Sequence, residues 1–166
     1  MNDSIVDVII AVDAESMVES LAPGSADNPT VIPMPLVFMM VKAADAVFGQ
    51  ASKELKFKAQ TGDIIRWRAA SLSLNDSFQV LLYKYHVVRG QELLSPPTPL
   101  IMQAKTALPN PATPTKPILQ TRKYHFWQAT VLMPGEVTYA FYMMVLDNNS
   151  KPLGFYYWDP FIAITD

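Results

Sequence analysis

The chain has 166 residues, of which 50% are hydrophobic and 17% charged, with 14 prolines and no cysteine. This length fits a single domain, residues 1–166, whose core needs no disulfide or metal to hold it together. Without cysteine, the chain cannot form a thiolate zinc site or an iron–sulfur cluster, or use a cysteine nucleophile. A formal charge of −2 gives no overall positive field for phosphates, so we expect no nucleic-acid partner.

The chain begins with a short apolar run. Ile5–Val12 is rich in Ile and Val and predicts a strand buried on most of both faces. Its length is too small to span a bilayer, and residues 1–4 lack the positive charge of a secretion signal. We therefore expect a cytoplasmic protein with no membrane partner. Cap residues at 13–16 precede a short helical turn predicted at 17–21.

The middle of the chain shows the clearest alternation. In 53–59, Leu55 and Phe57 alternate with charged residues, which predicts a half-buried strand. Thr61-Gly62-Asp63 is a turn signal, and 65–69 is predicted to return as the antiparallel partner strand. A second turn is expected at 74–77, followed by a long strand at 78–88.

Proline shapes the next segment, because half of the chain's prolines lie between positions 96 and 117. Proline cannot donate to a sheet ladder, so this segment must cross between strands or run along an edge, with only 100–108 free to pair regularly. Further strands are predicted at 36–41, 124–132, 137–147, 153–158 and 161–165. Nine or ten strands with little or no helix predict an all-β, single-domain antiparallel β-sandwich, jelly-roll-like in its connections.

Two groups of acids and aromatics are candidate ligand-binding sites. Asp13 and Glu15, followed by Glu19 and Asp27, could supply oxygen ligands for Ca²⁺, although capping of the predicted helix is the favoured interpretation.

Trp158 beside Asp159, and Trp67 between Arg66 and Arg68, are the residue types of a sugar site, in which rings stack on the sugar and acids accept its hydroxyls. The alternative, which we favour, is that most of these aromatic rings fill the core.

The chain has few residues of the types that act in catalysis. The chain has two histidines, His86 and His125, both inside predicted strands, and no Gly-x-Ser-x-Gly elbow or phosphate-binding glycine loop. A zinc site would need both histidines to meet carboxylates, which nothing in their spacing indicates. We expect no enzyme activity, no cofactor and no resident metal.

Four segments resemble a known family. They are GDIIRWR at 62–68 followed by SLS at 71–73, FWQATV at 126–131, GFYYWDPFI at 154–162, and the opening DVIIAVDAE at 7–15. Together they are similar to the PixA/AidA family of bacterial inclusion-body proteins over essentially the whole chain. The resemblance implies an abundant cytoplasmic protein of a host-associated bacterium under quorum-sensing or growth-phase control, in some members forming crystalline inclusions, and it brings no catalytic residues.

These features predict two candidate functions of different classes. The leading prediction is a non-enzymatic protein that associates with itself as a homodimer or higher oligomer, since a protein that accumulates to high concentration needs defined contacts. The alternative is a lectin-like sandwich that binds a glycan through Trp67, Trp158 and neighbouring charged residues, with or without Ca²⁺.

Overall fold

The computed structural model describes residues 4–33, 35–73 and 77–165, so the turn predicted at 74–77 lies mostly outside the described residues. Twelve β-strands, one α-helix and one short 3₁₀ turn (Gln91–Leu93) form within this part of the chain. In chain order the elements are β1 (Ile5–Val12), α1 (Ala14–Ser20), β2 (Thr30–Val31), β3 (Val37–Met40), β4 (Ala46–Phe48), β5 (Lys56–Gln60), β6 (Ile64–Ser71), β7 (Phe78–Arg89), β8 (Thr98–Leu108), β9 (Ile118–Thr130), β10 (Gly135–Asp147), β11 (Pro152–Trp158) and β12 (Phe161–Thr165).

These strands form two sheets. The five-stranded sheet has the order β3-β1-β6-β9-β8, and the seven-stranded sheet has the order β2-β11-β10-β12-β5-β4 with β7 paired to β10. The inner faces of the two sheets meet in one hydrophobic core, at whose centre Trp67 from the first sheet lies against Tyr139 and Phe141 from the second. The predicted all-β fold with little helix is confirmed.

The predicted pairing of the strands is only partly right. β1 runs parallel to β6, β11 to β2 and β12 to β5, so neither sheet is wholly antiparallel, and the strand order does not confirm the jelly-roll-like arrangement. Parallel neighbours need long connections between them. Between β1 and β6 the chain passes through α1 and four strands, β2 to β5, which leaves room for such a crossover.

The hairpin predicted around Thr61-Gly62-Asp63 is wrong. The turn forms, with Gly62 at φ 95° and Asp63 N donating to Gln60 O at 3.0 Å, but β5 lies in one sheet and β6 in the other. Asp63 holds this crossing in place because its carboxylate accepts hydrogen bonds from Gln60 N at 2.8 Å and from Ser4 N at 3.1 Å. The alternating pattern correctly predicted two half-buried strands. It could not show that they belong to different sheets, because a strand of either sheet alternates between a core-facing and an outward-facing side.

Strand β1 departs from the prediction in its burial. Val6, Val8, Ile10 and Val12 are buried, whereas Ile9 is 56% exposed and Asp7 is also exposed. The prediction of burial on most of both faces is therefore wrong, because nothing in the described residues covers the outer face of the five-stranded sheet as a second layer would.

The proline-rich segment behaves as predicted. Among the described strands, β8 is the last of its sheet and pairs with β9 alone, so the segment does run along an edge. The turn signal at 147–150 is also confirmed, since the Asp147 carboxylate accepts hydrogen bonds from Asn149 N at 2.9 Å and Lys151 N at 2.8 Å between β10 and β11.

Candidate functional site

The two tryptophans of the predicted sugar site lie in the core. Trp67 and Trp158 are 0% and 1% exposed. Trp67 Nε1 donates to the Tyr139 hydroxyl at 3.0 Å, and Trp158 Nε1 points at Met39 Sδ, 3.2 Å away. The lectin-like prediction that these rings are exposed is wrong. Successive side chains of a strand face opposite ways, and both tryptophans take inward positions, Trp67 between two outward-facing arginines.

The predicted carboxylates are not brought together either. Asp13 is the N-cap of α1 and accepts a hydrogen bond from Ser16 N at 3.1 Å, as the capping interpretation predicted. Glu15 is exposed in the first turn of α1, and Asp159 is exposed between β11 and β12. Across residues 4–33, 35–73 and 77–165, no three His, Asp or Glu side chains cluster closely enough to hold a metal ion.

Replacing Asp13 by alanine is expected to lower the free energy of unfolding by about 1 kcal/mol, because one backbone N–H of α1 loses its acceptor. Asp13→Asn, which keeps a cap oxygen, should cost only a fraction of this. Urea unfolding followed by circular dichroism measures both. Equal losses for the two variants would show that Asp13 does more than cap the helix.

The two arginines do share a surface. Arg66 and Arg68 face outward from β6, with Asp7 at the position paired with Arg66 on β1. Together with Tyr124 and Phe126 of β9 these residues line a shallow hollow of about 520 Å³ on the outer face of the five-stranded sheet.

Both guanidinium groups of this hollow rest on aromatic rings. Arg66 Cζ lies 4.9 Å from the centre of the Phe126 ring, and Arg68 Cζ lies 5.6 Å from that of Tyr124. Cation–π contacts of this kind hold a guanidinium against its own sheet. The arrangement therefore covers aromatic surface and does not offer those rings to a sugar.

The histidines lie on different strands of different sheets. His86 is exposed on β7, and His125 is half-buried on β9, where burial, followed by the positive charge of Arg68, lowers the pKa of its imidazole. Within the described part of the chain, no hydrogen bond joins either histidine to a nucleophile or a carboxylate. This geometry offers no acid–base pair for catalysis.

The most unusual feature of the surface is a two-stranded ribbon formed by β8 and β9. These strands pair from Thr98 opposite Gln128 to Leu108 opposite Ile118. β6 pairs with β9 only at its far end, up to Trp127. We call residues 101–124, the part of the ribbon in which β9 does not pair with β6, the arm.

Little of the arm is covered by its own chain. Almost every residue of 101–123 is exposed, including four large apolar side chains. Ile101 is 77% exposed and Leu119 is 64% exposed, and the other two are Met102 and Ile118. A two-stranded ribbon is marginally stable alone in water, so burial of these apolar groups would stabilise the arm.

The arm also carries free sheet edges. The outer edge of β8 has no partner strand among the described residues, and the outer edge of β9 has none before Trp127. Unpaired N–H and C=O groups along such edges can pair with another chain. At the tip, Asn110 and Thr113 accept the hydrogen bonds of two successive turns, so the connection is a compact one.

The charges of the arm differ from those of the remaining chain. The arm contains four of the 13 Lys and Arg residues and none of the 15 Asp and Glu residues. The rest of the chain therefore has nine basic and 15 acidic residues, a formal charge of −6. Among the described residues the ion pair formed is that of Lys56 with Glu136, so the cations of the arm have no carboxylate partner in their own copy.

The sequence shows the charge of the arm but not its position in the fold. No Asp or Glu occurs between Glu92 and Glu136, and 118–123 is two apolar residues followed by four polar ones, with no alternation. We predicted a strand only from residue 124, where the aromatic residues begin, because the exposed start of β9 has no core-facing pattern. The missed signal is the long stretch without acidic residues, which makes this part of the chain basic.

The fold and the arm together define a class: an all-β sandwich of two mixed sheets from which a basic β-ribbon projects. The family model for PixA, inclusion body protein, matches residues 4–164. The chain therefore belongs to the PixA family of inclusion-body proteins.

The fold itself is shared with a solved structure. A crystal structure of an inclusion body protein (PixA) from Burkholderia cenocepacia J2315 is 20% identical in sequence, with a TM-score of 0.84 over 99% of this chain and 98% of that one. A cysteine protease inhibitor from Entamoeba histolytica is far less similar, with a TM-score of 0.31, 15% identity and coverage of 66% of this chain and 86% of its own. No curated protein sequence matches the chain. In the described ranges, no helix has the length and apolar character needed to cross a bilayer.

Proposed function

We propose that the chain is a non-enzymatic protein that associates with itself in the cytoplasm of a host-associated bacterium, where it accumulates under quorum-sensing or growth-phase control. Membership of the inclusion-body family supports the general identity. The observation that carries self-association is the arm, with exposed apolar side chains and free strand edges.

The structure also supports a non-catalytic role. The predicted site residues are divided between a helix cap, two core tryptophans and an outer hollow whose aromatic rings are covered by arginines. The family is a structural one and is not known for enzymes. These positions support a role in association rather than in catalysis.

Self-association is expected to appear as a rise in mass with concentration. In size-exclusion chromatography with light scattering, the mass should exceed the 18.5 kDa of one chain and approach at least twice that value as the protein concentration rises from micromolar to millimolar. Interfaces of standard size have dissociation constants of about 1 μM or tighter, so a dimer should be populated in this range. A mass of one chain throughout would contradict the proposal.

A further inference from the structure

We propose that the arm of one copy docks on the acidic α1 segment of a second copy, an inference that rests on the self-association proposed above. We define the acidic α1 segment as residues 13–27, which include α1 and the loop after it. The segment contains four acidic residues and no Lys or Arg: Asp13, Glu15, Glu19 and Asp27.

The charges of the two elements are complementary. The arm contains only positive charges, and the acidic α1 segment contains only negative ones. Glu15, Glu19 and Asp27 are exposed, as are the cations of the arm. Complementary surfaces of this kind steer association and fix its orientation.

Like charge disfavours pairing between two arms. Lys105, Arg122 and Lys123 occupy neighbouring register positions, because Lys105 lies opposite Thr121 and Ala104 opposite Arg122. Diagonal neighbours in an antiparallel pair are about 7–8 Å apart, within the Debye length of about 10 Å at 0.1 M salt. The charges of Lys105 and Lys123 therefore act together on one face, and Arg122 adds a charge on the other face. Two arms side by side would place the positive charges of one arm against those of the other. An acidic α1 segment in the same place would instead neutralise the charges of the arm.

Each face of the arm combines apolar and basic groups. Residues directly opposite in an antiparallel pair point to the same face. Ile101 therefore lies on one face with Lys123 and Leu119, and Met102 lies on the other with Arg122 and Ile118. Docking by either face would therefore bury apolar surface. It would also bring a cation of the arm close to the surface of the second copy, where an acidic side chain would neutralise it.

The two elements project from the same end of the sandwich. β1 and β6 are parallel and end together, with Val12 paired to Ser71, and α1 follows directly after β1. β9 is antiparallel to β6, so the part of it before Trp127 extends toward this end. A two-fold axis at this end would place each arm on the α1 segment of the other copy, as in a closed isologous dimer.

A charge-reversal pair tests the role of the arm. The arm variant replaces Lys105, Lys116, Arg122 and Lys123 by Glu; the control variant makes the same change at four exposed positions elsewhere, Lys42, Lys58, Arg89 and Lys151. Both variants have the same net charge. We expect the arm variant to weaken the dimer by about 10–100-fold and the control to change it by less than about threefold, as measured by sedimentation equilibrium. Circular dichroism and urea unfolding verify that both variants fold.

A compensating swap tests the acceptor. Glu15→Lys, Glu19→Lys and Asp27→Lys, combined with the arm variant, should restore most of the lost affinity, while Asp13 stays in place as the helix cap. The wild-type dimer should also weaken at about 0.5 M salt relative to about 0.05 M, because screening reduces the attraction. Absence of rescue by the swap would overturn docking on the acidic α1 segment.

The failures of the two proposals are distinguishable. A wild-type chain that stays monomeric contradicts self-association itself. A wild-type oligomer weakened equally by the arm and control variants leaves self-association standing and overturns the docking proposal. Fluorescence anisotropy with a labelled DNA duplex provides the competing outcome, since arm-dependent binding of the duplex tighter than the dimer would show that the arm binds nucleic acid instead.

Crosslinking provides a measurement independent of charge. Because the chain contains no cysteine, Leu119→Cys in one preparation and Glu19→Cys in another should form a mixed disulfide when combined under mild oxidation. Phe48→Cys, an exposed position on β4, replaces Leu119→Cys in the matched control. Equal crosslinking of Glu19→Cys to both partners would contradict the proposed contact.

Discussion

Replacement of Trp67 by alanine is expected to lower the free energy of unfolding by about 3–5 kcal/mol, the usual cost of deleting a large buried aromatic side chain. Trp67 is fully buried, and its ring lies 5.6 Å from those of Tyr139 and Phe141 and 5.7 Å from that of Tyr85. Alanine would leave a cavity between the two sheets at the point where they meet. Urea unfolding followed by fluorescence of the remaining tryptophans measures the loss.

Matched variants separate this core role from a surface role. Trp67→Phe keeps much of the ring packing but removes the indole donor, so we expect a smaller loss, about 1–3 kcal/mol. Arg68→Ala, at the next residue on the outer face, should cost below about 1 kcal/mol, because its guanidinium is exposed. A loss for Trp67→Ala no larger than that for Arg68→Ala would contradict the burial of this tryptophan.

Replacement by phenylalanine is expected to change the free energy of unfolding in opposite directions at two stacked tyrosines. Tyr85 and Tyr139 lie with ring centres 5.3 Å apart, but only the Tyr139 hydroxyl accepts a hydrogen bond, from Trp67 Nε1. The Tyr85 hydroxyl is buried and has no hydrogen-bond partner among the described residues. Tyr139→Phe should therefore destabilise the fold by about 1–3 kcal/mol, whereas Tyr85→Phe should stabilise it by a similar amount. Thermal and urea unfolding at neutral pH measure both changes, and losses of equal size would contradict this assignment.

The same two tyrosines are expected to make the fold less stable at alkaline pH. Burial raises the pKa of both hydroxyls far above their ordinary value of 10.0. Above pH 10 the unfolded chain releases protons that the folded chain retains, so stability falls as the pH rises, by about 1.4 kcal/mol per pH unit for each tyrosine. Tyr85→Phe removes one such group and should make the decline shallower. An unchanged slope in that variant would show that Tyr85 ionises in the folded protein.

Local patterns in the sequence predicted the elements better than their partners. Ile5–Val12 is the strand β1 at the predicted bounds, and Asp13 caps the helix that follows. The same alternation suggested a hairpin across Thr61-Gly62-Asp63, where the chain instead changes sheets. A period of two indicates a buried face and an exposed face, but it carries no information on which strand lies alongside.

The candidate site residues were also predicted only in part. Arg66 and Arg68 were correctly associated with each other, because residues two apart on a strand share a face. The intervening Trp67 was proposed as a sugar-stacking ring, although that same rule places it on the opposite face, where the core lies. The arm was missed because the overall charge of −2 conceals a basic segment and an acidic remainder.

Composition nevertheless determined much about this protein. The absence of cysteine excludes thiol chemistry, the strand patterns and turn signals predict an all-β domain, and the prolines predict that residues 96–117 cross between strands or run along an edge. The tertiary structure alone decided which strands pair, which tryptophans are buried, and that the proline-rich edge continues outward as a basic arm. These properties depend on contacts between residues far apart in the chain, and such contacts are set by how the two sheets close on one core.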